Sequence, residues 1–232
     1  MSTAMKASDV WKLYASGEST IEAVRGVNVS LEVGEMVAIM GPSGCGKTTL
    51  LNVLSGIDEP SAGNVVVNGQ PLFGISDNER TIMRSNYLGF IFQDFNLLPV
   101  LSAVENVELP LLLLGNSAGE ARKRAQQALV DVGLGDRSQH RPAELSGGQQ
   151  QRVAVARAIV HRPAVVLCDE PTGNLDSRTS AEVLALLKRI NTEHQTTFLI
   201  VTHDASIAEL CDRVLHMEDG LIISDTLRTE EE

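Results

Sequence analysis

An α/β fold with a parallel core sheet is what this sequence predicts, and three observations predict it. Continuous apolar runs of the fully buried kind, such as Met36-Val37-Ala38-Ile39-Met40 and Val165-Val166-Leu167-Cys168, recur along the chain. Helical stretches alternate with them, as crossover connections between parallel strands require. The length of 232 residues suits one α/β domain with a sizeable core and small subdomains, and falls short of two full-sized domains. The elements follow in order. Val10 to Leu31 shows strand-like patches, with Val27-Asn28-Val29-Ser30-Leu31 alternating apolar and polar across from a turn-rich Ala15-Ser16-Gly17, so the chain begins with antiparallel β. Met36 to Met40 is a strand that ends at Gly41, and a helix continues from Thr48 to Leu54. Val65-Val66-Val67, between Gly63 and Gly69, and Leu88 to Phe92, ending at Gln93, are short strands. From Ala103 to about Val160 the pattern is mostly helical, with a charged amphipathic stretch from Glu120 to Val132 closed by Gly133. Val165 to Cys168 returns as a buried strand, followed by a helix near Ser177 to Asn191, a strand at Phe198 to Val201 and a hairpin around Asp219-Gly220. Glu230 to Glu232 reads as a solvated acidic end.

Composition narrows the function. Lys plus Arg number 19 against 30 Asp plus Glu, a net charge of −11, which repels nucleic acid and argues against it as a partner. With 43% apolar and 21% charged residues the chain is neither disordered nor collagen-like. Cys45, Cys168 and Cys211 are far apart with no close Cys or His, which indicates neither a disulfide framework nor a zinc ribbon and fits a reducing cytoplasm. The first ten residues lack the apolar core of a leader, and no run approaches the ~18 apolar residues of a membrane span. The apolar segment Leu109 to Leu114 suits a buried helix or a protein contact.

Gly41-Pro42-Ser43-Gly44-Cys45-Gly46-Lys47-Thr48 fits the eight-residue phosphate-loop pattern, with Thr49 next in line. Glycines let backbone N–H groups curl around phosphates, the helix opening at Gly46 turns its positive end toward them, Lys47 adds a charge, and Thr48 can ligate Mg²⁺. The same positive potential is expected to make Cys45 the thiol most readily alkylated, ahead of a buried Cys168. A Mg-nucleotide site needs a carboxylate on a neighbouring strand, and Asp169-Glu170 follows Val165 to Cys168. Asp169 suits the metal, and Glu170, one step beyond, suits a general base for the attacking water.

Leu145-Ser146-Gly147-Gly148-Gln149 is a second anion-seeking helix start: Ser146 is a good N-cap, Gly147 and Gly148 permit close approach, and a helix running through Arg152, Ala156 and Ala158 follows. This pentapeptide resembles the signature sequence of ABC (ATP-binding cassette) ATPases. The resemblance implies a RecA-like P-loop NTPase core of ABC ATPase type, with an antiparallel β subdomain and an α-helical subdomain at about 95–160, all within one domain over 1–232. It also implies ATP and Mg²⁺ as ligands and a head-to-tail homodimer, in which Ser146, Gly147, Gly148 and Gln149 meet the nucleotide held by the other copy's phosphate loop. Position by position, Gln93 resembles the Q-loop glutamine that senses Mg²⁺ and the membrane partner. Asn174-Leu175-Asp176 resembles the D-loop, with Asp176 near the nucleotide. His203 resembles the switch histidine at the γ-phosphate, and Tyr14 the aromatic that stacks on adenine.

Phe92 to Pro99, Glu105 to Pro110 and Thr172 to Asp176 resemble the MacB/LolD branch, bacterial ATPases of macrolide or peptide efflux and of lipoprotein release. Two departures, Cys45 where serine or alanine is commoner and Asn174 in the D-loop, remove no required group. The resemblance implies a cytoplasmic subunit, peripheral on the inner membrane through a permease of MacB/LolC-E type. Leu97, Leu98, Pro99 and Leu109 to Leu114 are the expected contacts. The same residues suit a regulatory cassette that activates cell-wall enzymes without transport.

Overall fold

The computed structural model describes residues 2–17 and 19–228, so the acidic stretch Glu230 to Glu232 lies outside the described residues. The chain opens with two long strands, β1 (Thr3–Ser16) and β2 (Ser19–Glu32), paired antiparallel with Val10 opposite Val27. The period-two alternation of β2 buries Val27, Val29 and Leu31 while Asn28 and Ser30 face away. With β4 (Ala62–Val67) and β5 (Gln70–Pro71) they form a four-stranded sheet in the order β2-β1-β4-β5.

The second sheet holds β3 (Met36–Met40), β6 (Leu88–Phe92), β7 (Val165–Asp169), β8 (Phe198–Thr202), β9 (Arg213–Glu218) and β10 (Leu221–Leu227), in the order β10-β9-β3-β8-β7-β6. All of these run parallel except β10, which turns back on β9. The strands read as unbroken apolar runs because both faces are covered. Met36, Ala38, Val166, Cys168, Phe198 and Ile200 join one core, while Val37, Ile39, Val165, Leu167, Leu199 and Val201 join the other.

The first core is shared with α3 (Ala103–Leu113), α4 (Ala118–Asp131), α5 (Gly147–Ile159) and α6 (Ser177–His194). The second is shared with the antiparallel sheet and α1 (Lys47–Leu54). Helix α2 (Asp77–Tyr87) was not legible in the apolar pattern, since it buries only Met83. Its start is set instead by a capping box, Ser76 with Glu79. The same device, Ser102 with Glu105, opens α3. Behind that cap the buried Asn106 amide donates to the carbonyls of Leu98, Leu101 and Ser102 and accepts from the Leu98 N–H, which pins the connecting loop. The expected apolar segment is divided: Leu111 is fully buried, whereas Leu112 and Leu113 are exposed. A short α7 (Ala205–Ala208) follows β8.

The consequence for function lies in the strand order. Because β3, β8, β7 and β6 are adjacent and parallel, the segments leaving their carboxyl ends, which carry Gly41, His203, Asp169-Glu170 and Gln93, emerge along one edge of one sheet.

Candidate active site

The phosphate-loop pattern folds as a strand, a loop and a helix. Gly46 is the N-cap of α1 at φ 107°, and a Cβ there would strike the carbonyl of Ala23, so only glycine fits. Gly41 is excluded from bearing a side chain in the same way, by the Met217 carbonyl. Lys47 is buried and curls back over the loop, donating from Nζ to the carbonyls of Gly41 at 2.8 Å and Pro42 at 2.9 Å. Beside it, Gly44, Cys45, Gly46, Lys47, Thr48 and Thr49 line a cavity of about 560 Å³ that also meets Thr20 to Ala23, Arg25, Asp219 and Gly220. Pro42 and Ser43 complete the loop. Cys45 is 5% exposed, with Sγ 3.9 Å from Lys47 Nζ.

Thr48 Oγ1, on the first turn of α1, donates to Asp169 Oδ1 at 3.4 Å, so the loop and the end of β7 meet at a hydroxyl and a carboxylate. Burial, seconded by the charge of Glu170, raises the Asp169 carboxyl above its ordinary range, against the Thr48 bond and the charge of Lys47. Glu170 stands at φ 47°, a left-handed backbone that turns it out of the strand, and its N–H is held by the Val201 carbonyl on β8. Its carboxylate is gripped at both oxygens, Oε1 by His203 Nδ1 at 2.7 Å and Oε2 by Thr202 Oγ1 at 3.1 Å. Thr202 had no signature in the sequence; it is found only through the β7–β8 pairing.

Gln93, leaving β6, donates to Asn174 Oδ1 at 3.0 Å, and the Asn174 amide answers to the Gln93 carbonyl and to Asp94. Gln93 therefore lies against the D-loop segment. Asp176 is the N-cap of α6, accepting from the N–H groups of Arg178 and Thr179 and from the Thr179 hydroxyl at 2.6 Å. Ser146 and Gln149 close a capping box at the start of α5, the Gln149 side chain accepting from the Ser146 N–H at 2.9 Å. Gly147 faces Phe95 and Leu175, and Gly148 abuts the Thr179 methyl so closely that any Cβ would collide with it. None of Ser146 to Gln149 lines the cavity at the phosphate loop of the same chain. Tyr14, on β1, is partly exposed and its hydroxyl donates to Asp58 Oδ2 at 2.7 Å.

The donors converging here are of a hard, oxygen-rich kind: one hydroxyl and one carboxylate in mutual contact, with backbone amides and a lysine alongside. That set fits Mg²⁺ carried with a polyphosphate, which keeps most of its own ligands and takes one or two from protein.

Residues 24–173 match the model of the family described as ABC transporter. The chain is 47% identical over 222 residues to the lipoprotein-releasing system ATP-binding protein LolD of Bordetella pertussis, covering 96% of each. It is also 47% identical over 219 residues to an uncharacterized ABC transporter ATP-binding protein, MJ1508, of Methanocaldococcus jannaschii, covering 94% of this chain and 97% of that one. Among solved structures, the dimeric post-hydrolysis state of the ATP-binding cassette MJ0796 bound to ADP and Pi is similar with a TM-score of 0.88 and 42% identity, over 97% of this chain and 99% of that one. The cassette cbiO1 of Clostridium perfringens, part of the transporter complex cbiONQ, has a TM-score of 0.86 and 31% identity, over 98% and 89%.

Proposed function

Because the chain belongs to the ABC transporter family, as an ATP-hydrolysing subunit that works with a membrane permease, we propose the following division of labour among its residues. Gly41 to Thr49 hold the triphosphate, with Lys47 and the loop amides on its oxygens. Thr48, Asp169 and Gln93 would hold Mg²⁺, which would supply charge neutralisation at the phosphates. Glu170 accepts a proton from the water that attacks the γ-phosphorus as the bond to the β-phosphate oxygen breaks, giving ADP and phosphate. His203 orients that carboxylate and then faces the γ-phosphate, and Tyr14 stacks on the adenine ring. Two copies close head to tail, each site completed by Ser146, Gly147, Gly148 and Gln149 of the partner subunit, with Asp176 beside the nucleotide across the joint. The observation that carries this reading is the sheet order: four site-bearing strand ends lie side by side, while the Ser146 helix start does not line the cavity at its own phosphate loop.

The permease contact is the groove between β6, α2 and the end of α3. Phe90, Phe92, Pro110 and Leu113 give it an apolar floor, and Arg84 and Arg157 line it with no acidic residue among the lining side chains. Leu113 lines it and is exposed, as are Leu98 and Leu112, whereas Leu97 packs on the hydrophobic core and Leu111 is buried in that core. This supports a permease of MacB/LolC-E type and a place on the inner face of the inner membrane; no helix among the described residues is long and apolar enough to cross a membrane. Leu113→Glu, placing a charge on the apolar rim, should abolish recovery of the subunit with the membrane fraction of its native host while sparing ATP hydrolysis by the isolated subunit. Undiminished membrane recovery would overturn the docking assignment.

A further inference from the structure

Lys12, Tyr14 and Asp58 form a closed cluster that the phosphate chemistry does not use. The Tyr14 hydroxyl donates to Asp58 Oδ2 at 2.7 Å. On the other oxygen, Lys12 Nζ stands 2.6 Å from Asp58 Oδ1 and donates at 2.8 Å to the Glu59 carbonyl. The same ammonium lies 5.0 Å from the centroid of the Tyr14 ring, within cation–π range. A lysine on a β-strand ordinarily keeps its head in water. Here the Lys12 side chain is 13% exposed, while Tyr14 is left 39% exposed. The charge has been drawn in and the ring left out.

We propose that the Lys12–Asp58 ion pair is a positioning device for Tyr14, clamping its hydroxyl and occupying one face of its ring so that a nucleobase meets a single, pre-set stacking face. The inference rests on Tyr14 being the nucleobase platform and goes beyond it. A free tyrosine would lose rotamer freedom each time a base stacked on it; a clamped one has already lost it on folding, so less affinity is forfeited at binding. The clamp also ties the base to the triphosphate, since Asp58 follows by four residues the helix that opens at the phosphate loop. Both charge states suit the role. Burial, then the bond and charge of Asp58, hold the Tyr14 phenol above its ordinary value, so it remains a donor. Burial pushes the Asp58 carboxyl up, but the bonds from Lys12 and Tyr14 and the charge of Lys12 prevail and hold it below its ordinary value.

The test separates base from phosphate by titrating the intact subunit, in Mg²⁺, with ATP and with inorganic tripolyphosphate. Asp58→Asn and Tyr14→Phe should each weaken ATP about three- to tenfold and leave tripolyphosphate unchanged within about twofold, and Asp58→Asn should retain the rate at saturating ATP. The double variant should be no weaker than the weaker single one, because both cut the same link. Tyr14→Ala, which removes the stacking surface itself, should lose about tenfold or more for ATP alone. If Tyr14→Ala weakens ATP and Asp58→Asn does not, the clamp is wrong and the platform stands. If Tyr14→Ala changes nothing, the platform falls and the clamp with it. Equal weakening of ATP and tripolyphosphate by Asp58→Asn would mark a general structural role and overturn the proposal.

Discussion

His203 Nδ1 lies 2.7 Å from Glu170 Oε1, across the β7–β8 pair, while Thr202 takes the second carboxylate oxygen at 3.1 Å. A carboxylate at φ 47° and held at both oxygens cannot swing freely; it points from the strand end as a fixed acceptor. Replacing it with an amide keeps the shape and removes the basicity. Glu170→Gln should therefore lower ATP turnover by about 10²-fold or more while ATP binding persists, and the ATP-held dimer should accumulate. Size-exclusion chromatography with and without ATP reads the second effect. A variant that stays monomeric at high ATP yet hydrolyses at the parental rate would refute both the base and the sandwich.

Lys47 makes its bonds to the Gly41 and Pro42 carbonyls within the loop. Lys47→Ala should abolish binding of a fluorescent ATP analogue and cost about 1 kcal/mol of stability from those two bonds, with the circular dichroism spectrum unchanged. Unaltered affinity would remove the phosphate-loop assignment.

How much of this was legible beforehand depended on how local the signal was. The phosphate loop, Asp169-Glu170 and the Ser146 helix start were legible because each is a short run whose backbone and side chains act together. The strands β3, β7 and β8 were legible because burial on both faces leaves continuous apolar runs. Helix α2 was not, since one buried methionine gives no period, although Ser76 and Glu79 at cap spacing were there to be read. The contacts of Lys12 with Asp58, 46 residues apart, and of Thr202 with Glu170 could not be read, because strand order and register bring them together. Gly148 was legible as a glycine required for close approach, but the neighbour it admits in this chain is the Thr179 side chain on α6.

That joint between α5 and α6 is testable. Thr179 is β-branched and its hydroxyl is anchored to Asp176, so its methyl cannot rotate away from a new Cβ at position 148. Gly148→Ala should cost about 1–3 kcal/mol in denaturant unfolding. Thr179→Ser, which removes the methyl and keeps the hydroxyl, should restore the loss in the double variant. Failure of that rescue would mean that the glycine is needed for some reason other than Thr179.

Arg213 grips Asp225 with two bonds of 2.6 Å, tying β10 to β9, and also reaches Glu35 and the Ser30 carbonyl. The Arg213 hydrogen bonds, opposed by burial and aided by its charge, hold the Asp225 carboxyl below its ordinary 3.8. A depressed carboxyl stabilises the fold above its unfolded value and loses that contribution as pH falls through its folded one. Asp225→Asn should therefore be less stable than the parent at pH 7, by up to about 1 kcal/mol at this half-exposed site, and the gap should close below about pH 4. A gap constant from pH 7 to pH 3 would show that the pair carries no net stabilisation.

Access governs the Cys45 thiol, whose Sγ lies 3.9 Å from Lys47 Nζ. Cys45 is 5% exposed, Cys168 fully buried and Cys211 1% exposed. The room Sγ occupies exists because residue 41 is glycine; a Cβ there would stand 2.9 Å from the sulfur. A maleimide needs direct contact with sulfur, so burial sets the rate, and the native chain should label far more slowly than the chain in denaturant, where all three thiols react. Peptide mapping should find Cys45 first among the slow products, because the loop has to open only locally to release it, whereas Cys168 sits in the central sheet between β6 and β8. Mg-ATP, by holding the loop closed, should slow that labelling further, and Cys45→Ser should retain hydrolysis and lose the sensitivity. Labelling of Cys45 in the native chain as fast as in the unfolded one would show that the thiol faces the phosphates openly, as its neighbours in sequence first suggest.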